Sequence, residues 1–264
     1  MCIRDRCIER LGASISKEEI KMNTTIDPIE KEKFSKMAEE WWDTNGKFKA
    51  LHKFNPKRIE YIRNKITSHF SLDQDLDKPF KKLKILDIGC GGGLLCEPMS
   101  RLGANVTGID VVEKNINVAK THSEEQNLKI NYKLVTAEEL AKKNKKYDVI
   151  LNMEVIEHVS DLNLFIESCE KLLEKDGLIF FATLNRNVIS FGLAIIGAEY
   201  ILRWLPKGTH DWKKFITPEE LRVLFRSSGL NINEIKGMKY NPIFDSWYLS
   251  EDTNVNYLGT AIKS

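Results

Sequence analysis

The chain reads as an α/β protein built on a doubly wound, mostly parallel sheet of seven strands, with a helical segment before it and an apolar helical insertion after the fifth strand. Three observations predict this. Apolar runs near 84–88, 104–109, 130–135, 147–152 and 178–183 alternate with helical patterns. A glycine turn, Asp87-Ile88-Gly89-Cys90-Gly91-Gly92-Gly93, joins the first run to a helical pattern carried by Leu94, Leu95, Met99 and Leu102. The second run ends in Asp110, roughly 20 residues past the turn, where the edge of such a sheet meets its ligand.

The elements follow in order. Residues 1–21 lack the apolar h-region of a signal peptide, and their acids argue against a transit peptide. They are expected to be extraneous or disordered, with Met22-Asn23 a plausible start. Residues 22–82 are expected to form a helical cap. Ile29 to Trp42 places Phe34, Met37, Ala38, Trp41 and Trp42 at helical spacing. A loop with Gly46 and Asn55-Pro56 follows, then a second helix from Lys57 to Phe70 and a polar linker from Ser71 to Lys81. Residues 83–264 form the ligand-binding domain, with the insertion at 186–212. Thr217-Pro218-Glu219-Glu220 opens a last helix, with Thr as cap and Pro at its first position. Two closing strands, 231–236 and 256–263, flank a loop containing Asn241-Pro242.

Composition narrows the class. With 264 residues, 42% of them hydrophobic, the chain can bury a full core. A net charge of +2, with lysines scattered among acids, offers no nucleic-acid groove. Five cysteines (Cys2, Cys7, Cys90, Cys96, Cys169) show neither metal spacing nor a disulfide ladder, so a reducing compartment is expected.

The register of the glycine turn carries chemistry. Asp-x-Gly-x-Gly-x-Gly differs from the Gly-x-Gly-x-x-Gly of dinucleotide enzymes by an acid inside the loop. Asp87 would repel a pyrophosphate but attract a ligand bearing a sulfonium and an ammonium. Gly89, Gly91 and Gly93 let a ligand lie against the backbone, and Asp110 can accept both hydroxyls of a ribose. The loop thus resembles motif I of the class I S-adenosylmethionine-dependent methyltransferases, which have a Rossmann-like fold. A glycine-rich turn with no ligand is the plain alternative.

The fourth strand delivers Asn152-Met153-Glu154-Val155-Ile156-Glu157-His158 to the same edge. Met153 suits an apolar wall for the cofactor. Glu154, Glu157 and His158 stand at i, i+3 and i+4, so a helical turn would gather them on one face as ligands for Mg²⁺ or Mn²⁺. A solvated acidic turn with a capping His is the competing reading. Arg58, ahead of the core, could clamp a methionine carboxylate, though a lone arginine is more often a surface charge. Val188 to Pro206 is apolar but too short and too interrupted to span a bilayer. It reads either as a core-packing helix or as an interfacial element admitting a greasy substrate. His210, just beyond it, is a candidate general base on a phenol, with a solvated loop histidine as the alternative.

Larger blocks carry a closer resemblance. Glu40-Trp41-Trp42-Asp43, Leu51-His52 with Asn55-Pro56 and Arg58, Thr183-Leu184-Asn185-Arg186, Gly197-Ala198-Glu199-Tyr200, and Pro206-Lys207-Gly208-Thr209-His210-Asp211 occur together with the motifs above. From about Ile26 to the C-terminus the sequence resembles the bacterial ubiquinone-biosynthesis O-methyltransferases, also called demethylubiquinol 3-O-methyltransferases and polyprenyl-hydroxyphenol methylases. The resemblance implies O-methylation of polyprenylated phenol and catechol intermediates, at both O-methylation steps. It also implies that Arg58, Gly89, Asp110 and Met153 contact S-adenosylmethionine and, through eukaryotic relatives, that Glu154, Glu157 and His158 bind magnesium. Glu154 and His210 are the expected catalytic groups. The expected location is the cytoplasm, at the inner face of the cytoplasmic membrane, held peripherally through about 188–206. Other ubiquinone-biosynthesis enzymes are candidate partners. The rivals are another small-molecule C- or N-methyltransferase and a non-catalytic lipid- or cofactor-binding protein on this fold. A nucleic-acid methyltransferase is disfavoured, because neither a Pro-Pro-Tyr/Phe tetrapeptide after strand four nor a Pro-Cys occurs.

Overall fold

The structure, a computed structural model, describes residues 24–190 and 211–263. In chain order its strands are β1 (Lys84–Ile88), β2 (Asn105–Asp110), β3 (Asn131–Leu134), β4 (Tyr147–Met153), β5 (Leu173–Leu184), β6 (Leu230–Asn241), β7 (Ser246–Ser250) and β8 (Asn256–Lys263). They form one sheet in the order β3-β2-β1-β4-β5-β8-β6-β7. The first five pair in parallel, β8 runs antiparallel to β5 and β6, and β6 and β7 form an antiparallel hairpin. The described sheet therefore has eight strands, not the seven expected. The additional one, β7, is a short edge strand that reads as loop because none of its residues is fully buried.

Helices cover both faces. The α-helices of more than one turn are α1 (Pro28–Met37), α2 (Lys49–His69), α3 (Cys96–Arg101), α4 (Glu113–Glu125), α5 (Ala137–Ala141), α6 (Leu162–Leu172) and α7 (Pro218–Ser227). One apolar core packs Ile62, Phe80, Ile85, Met99 and Phe180 beneath α2 and α3. The other packs Leu86, Ile150, Phe165, Phe181 and Phe225 beneath α6 and α7. Adjacent residues of β1 and of β5 thus enter opposite cores. This two-sided burial is why the parallel strands read as continuous apolar runs rather than alternating ones.

Local signals set the helix ends. Asp27 caps α1, its carboxylate accepting from the N–H of Ile29 at 2.9 Å. Thr217 caps α7 with Pro218 at its first position, as the sequence anticipates, and Glu220 completes a reciprocal capping box. One boundary differs. The second helix begins at Lys49 rather than Lys57, with Pro56 inside it. Proline removes one backbone donor without ending the helix, and Ile62 and Ile66 further along are buried in the core.

The strand order reverses direction at β1, which has β2 on one side and β4 on the other. The crevice at the carboxyl ends of these strands is where a doubly wound sheet receives its ligand. The expectations for residues 1–21, and for the insertion from 191 to 210, lie outside the described residues.

Candidate active site

The glycine turn leaves β1 in a conformation that side chains rarely adopt, with φ of 65° at Gly89 and 53° at Gly91. Asp110, at the end of β2, holds the turn in place. Its Oδ2 accepts from the Gly91 N–H at 2.9 Å and from Asn115 Nδ2 at 3.3 Å, while Oδ1 accepts from the Val112 N–H at 2.8 Å. Burial raises its pKa, opposed by the Val112 and Gly91 N–H groups. Burial also lifts Asp87 to about 7, against the lowering effect of the Cys96 thiol, which donates to it at 3.1 Å. Two acids close together in a buried crevice create a negative potential that favours a cationic ligand.

Arg58 reaches this crevice from α2. It is buried, ion-paired with Glu154 and held over the Phe54 ring at 4.5 Å, and its Nε has no hydrogen-bond partner among the described residues. Met153 ends β4, and Glu154 follows with φ of 59°, in the left-handed region that a non-glycine residue enters only at a cost. The Glu154 N–H donates to the Ala182 carbonyl at 2.9 Å, which keeps this turn attached to β5.

The three expected metal ligands do not gather into one set: Glu154 and Glu157 are hydrogen-bonded neighbours, whereas His158 Nδ1 lies against Glu30. Glu154 turns to Arg58; Glu157 accepts from Thr183 Oγ1 at 2.8 Å; His158 Nδ1 lies 3.0 Å from Glu30 Oε2. The reason is local. The segment forms a 3-10 turn over Ile156–His158 only, and Glu154 stands outside it, so α-helical i, i+3, i+4 stacking does not arise. Among the described residues, no group of three His, Cys, Asp or Glu side chains could hold a metal ion. Burial and the neighbouring Glu154 charge push the Glu157 pKa well above the usual carboxylate range. His210 lies outside the described residues.

The segment before the core covers the turn. The Trp41 ring packs on Gly91 and Gly92 and its Nε1 donates to Asn115 Oδ1 at 2.9 Å. Trp42 donates to the Gly92 carbonyl at 2.9 Å and stacks on His122 at 3.5 Å between ring centroids. Farther along, Lys214 Nζ reaches Asp27 Oδ2 at 2.7 Å and Glu30 Oε1 at 3.2 Å. Between cover and sheet lies a cavity of about 660 Å³. Asp87, Gly89, Asp110, Arg58, Met153 and Glu154 border it at the strand ends, whereas Gly91 sits under Trp41. Met238, Tyr240 and Trp247, from the β6–β7 hairpin, form another wall. Phe54, Asn115 and Trp247 also border the cavity, and neither their types nor their spacing marks them in the sequence. Two adjacent tryptophans ahead of a glycine turn were the only local signal of the cover.

A methyltransferase-domain family model matches residues 54–235. The fold recurs in a Pyrococcus horikoshii protein (TM-score 0.59, 15% identity, 88% of this chain and 99% of that one). It recurs too in the magnesium protoporphyrin IX methyltransferase of Synechocystis with bound SAH (TM-score 0.56, 18% identity, 79% and 83%). With the acidic glycine turn and Asp110 at their expected places, the chain is a class I S-adenosylmethionine-dependent methyltransferase. Its sequence relatives are more particular. The ubiquinone biosynthesis O-methyltransferase of Bartonella tribocorum is 56% identical over 241 residues, covering 91% of this chain and 98% of the relative. That of Pelagibacter ubique is 54% identical over 240 residues, covering 91% and 99%. The chain belongs to the ubiquinone biosynthesis O-methyltransferase family.

Proposed function

We propose that the protein methylates a ring oxygen of polyprenylated phenol and catechol intermediates at both O-methylation steps of ubiquinone biosynthesis. The observation that carries this reading is that a single cavity joins the acidic strand ends to an apolar hairpin wall. The first suits a cationic, ribose-bearing methyl donor, and the second a greasy acceptor.

The site fits the donor. Gly89 stands where a β-carbon would meet Val155 at 2.7 Å, and Arg58 keeps a buried Nε with no partner among the described residues. When bound, S-adenosylmethionine supplies an electrophilic methyl on a positive sulfonium. Arg58 would hold its carboxylate, Asp87 would face its cationic end and Met153 would pack beside it. Asp110 would accept the ribose hydroxyls with lone pairs left over from the backbone bonds it already makes. Gly91 acts through Asp110, which it anchors. Most of the rate enhancement would come from holding the phenol oxygen in line with the methyl. As the oxygen–carbon bond forms and the carbon–sulfur bond breaks, the phenol proton leaves to Glu154 or His210. The geometry of Glu154, Glu157 and His158 does not support magnesium, and no step runs through it.

Residues 188–206 are the proposed peripheral membrane element, at the inner face of the cytoplasmic membrane. Exposed Val188 and Ile189 at its start support this, as does the apolar sequence that follows. No helix among the described residues is long and apolar enough to cross a membrane. Other enzymes of the pathway are proposed partners.

The test uses purified protein, labelled S-adenosylmethionine and catechols with and without a short prenyl tail, each with and without EDTA. Turnover of both, with a lower KM for the prenylated one and little effect of EDTA, is expected. Absence of methylation of either catechol overturns the reading.

A further inference from the structure

The β6–β7 hairpin ends in a turn that presents two large apolar side chains to water. Ile243 is 84% exposed and Phe244 76%. The turn holds them there by its own hydrogen bonds. Asn241 Oδ1 accepts from the Ile243 N–H at 2.9 Å and the Phe244 N–H at 3.3 Å. Tyr240 donates to Asp245 Oδ1 at 2.6 Å, and Lys53 Nζ, from α2, reaches both Asp245 oxygens at 2.9 and 3.1 Å. Nothing in these bonds buries the apolar pair.

The hairpin is graded along its length. Beyond the tip the register pairs Asn241 with Ser246, then Tyr240 with Trp247, then Lys239 with Tyr248. Apolar tip, amphipathic aromatic rings and lysine follow one another, with Lys53 beside them; Lys53 and Lys239 are ion-paired with Asp245 and Asp252. That is the sequence of chemistries met on passing from acyl chains through the headgroup layer into water. A protein partner would not require such grading, and a convex tip cannot enclose a small molecule. The same strands carry Tyr240 and Trp247 on the cavity wall.

We propose that Ile243 and Phe244 insert into the surface of a lipid bilayer, with Tyr240, Tyr248, Lys53 and Lys239 at headgroup depth. The hairpin then forms a membrane-facing lip of the substrate cavity, separate in sequence from residues 188–206. The proposal rests on the reading that the acceptor carries a prenyl chain, because only a lipid-dissolved substrate gains from a cavity opened at the membrane.

The test compares full-length wild type with Ile243→Ser/Phe244→Ser in flotation with phosphatidylethanolamine–phosphatidylglycerol vesicles. The double variant should bind at least about tenfold more weakly, equivalent to about 1.4 kcal/mol. Its S-adenosylmethionine affinity and its turnover of a tail-less catechol should match wild type, which shows that it is folded. In a Phe244→Trp variant, added vesicles should shift the emission to the blue. Wild type and double variant floating alike, wild type ignoring vesicles, or a wild-type dimer that the double variant dissociates would each overturn the proposal. Failure of wild type to methylate any catechol would overturn the substrate reading instead, whatever the vesicles show.

Discussion

The Trp41 ring packs so closely on Gly91 that a β-carbon there would stand 2.3 Å from its Cζ2 atom. The residue that shapes the ligand loop is thus fitted to a residue fifty positions earlier, and the covering segment and the loop form one unit. Gly91→Ala suffers twice, from this contact and from its φ of 53°. It should lose about 1–3 kcal/mol of stability and bind S-adenosylmethionine more weakly. In a Trp41→Ala background the same substitution should cost less, because only the backbone penalty remains. Denaturant unfolding of the four proteins in this cycle checks it.

Asp110 supports the loop as well as facing the cavity. Asp110→Ala leaves the Gly91 and Val112 N–H groups buried without acceptors, at about 1–3 kcal/mol each. Asp110→Asn keeps one oxygen acceptor and should be the more stable of the two, while both lose cofactor affinity by calorimetry. Undiminished affinity in a folded Asp110→Ala protein would remove this residue from the site.

Asp87 predicts a pH dependence. In the folded protein it keeps its proton up to about 7, against an ordinary value of 3.8. The folded state binds more protons between those values, so this group's contribution to stability falls as pH rises through the window. A cationic ligand favours the carboxylate, so S-adenosylmethionine should bind more tightly as pH rises to neutrality and should release a proton below it. Asp87→Asn should abolish both slopes, measured by calorimetry in buffers of different ionisation enthalpy.

Tyr132 offers a contrast. Its hydroxyl is buried behind Gly93 without a hydrogen-bond partner among the described residues. Tyr132→Phe removes an uncompensated desolvation cost and should be within about 0.5 kcal/mol of wild type or more stable. Thermal unfolding reads the sign.

The sequence made some of these relationships legible and hid others. Strands β1 to β5 announced themselves because burial on both faces demands apolar runs, and Gly89 with Asp110 because few other uses need that spacing. The start of α2 was hidden by Pro56, a residue that stops most helices but is tolerated here within a packed one. Strand β7 is hidden because pairing with β6, rather than any burial pattern of its own, makes it a strand. The geometry of the cluster at Glu154 is hidden for a related reason. Its spacing means one thing on an α-helix, and the left-handed backbone at Glu154 makes it another. The cover on the glycine turn is tertiary, made by Trp41 and Trp42 at a distance that periodicity does not register.

The most direct test of the central claim is where the methyl group goes. The enzyme is incubated with S-adenosylmethionine carrying a ¹³C-labelled methyl and a short-chain prenyl catechol, and the product is examined by long-range carbon–proton NMR correlation. A labelled methoxy carbon whose protons correlate with an oxygen-bearing ring carbon is the result expected. A label on a ring carbon, or unreacted catechol beside a folded protein that binds the donor, would contradict it.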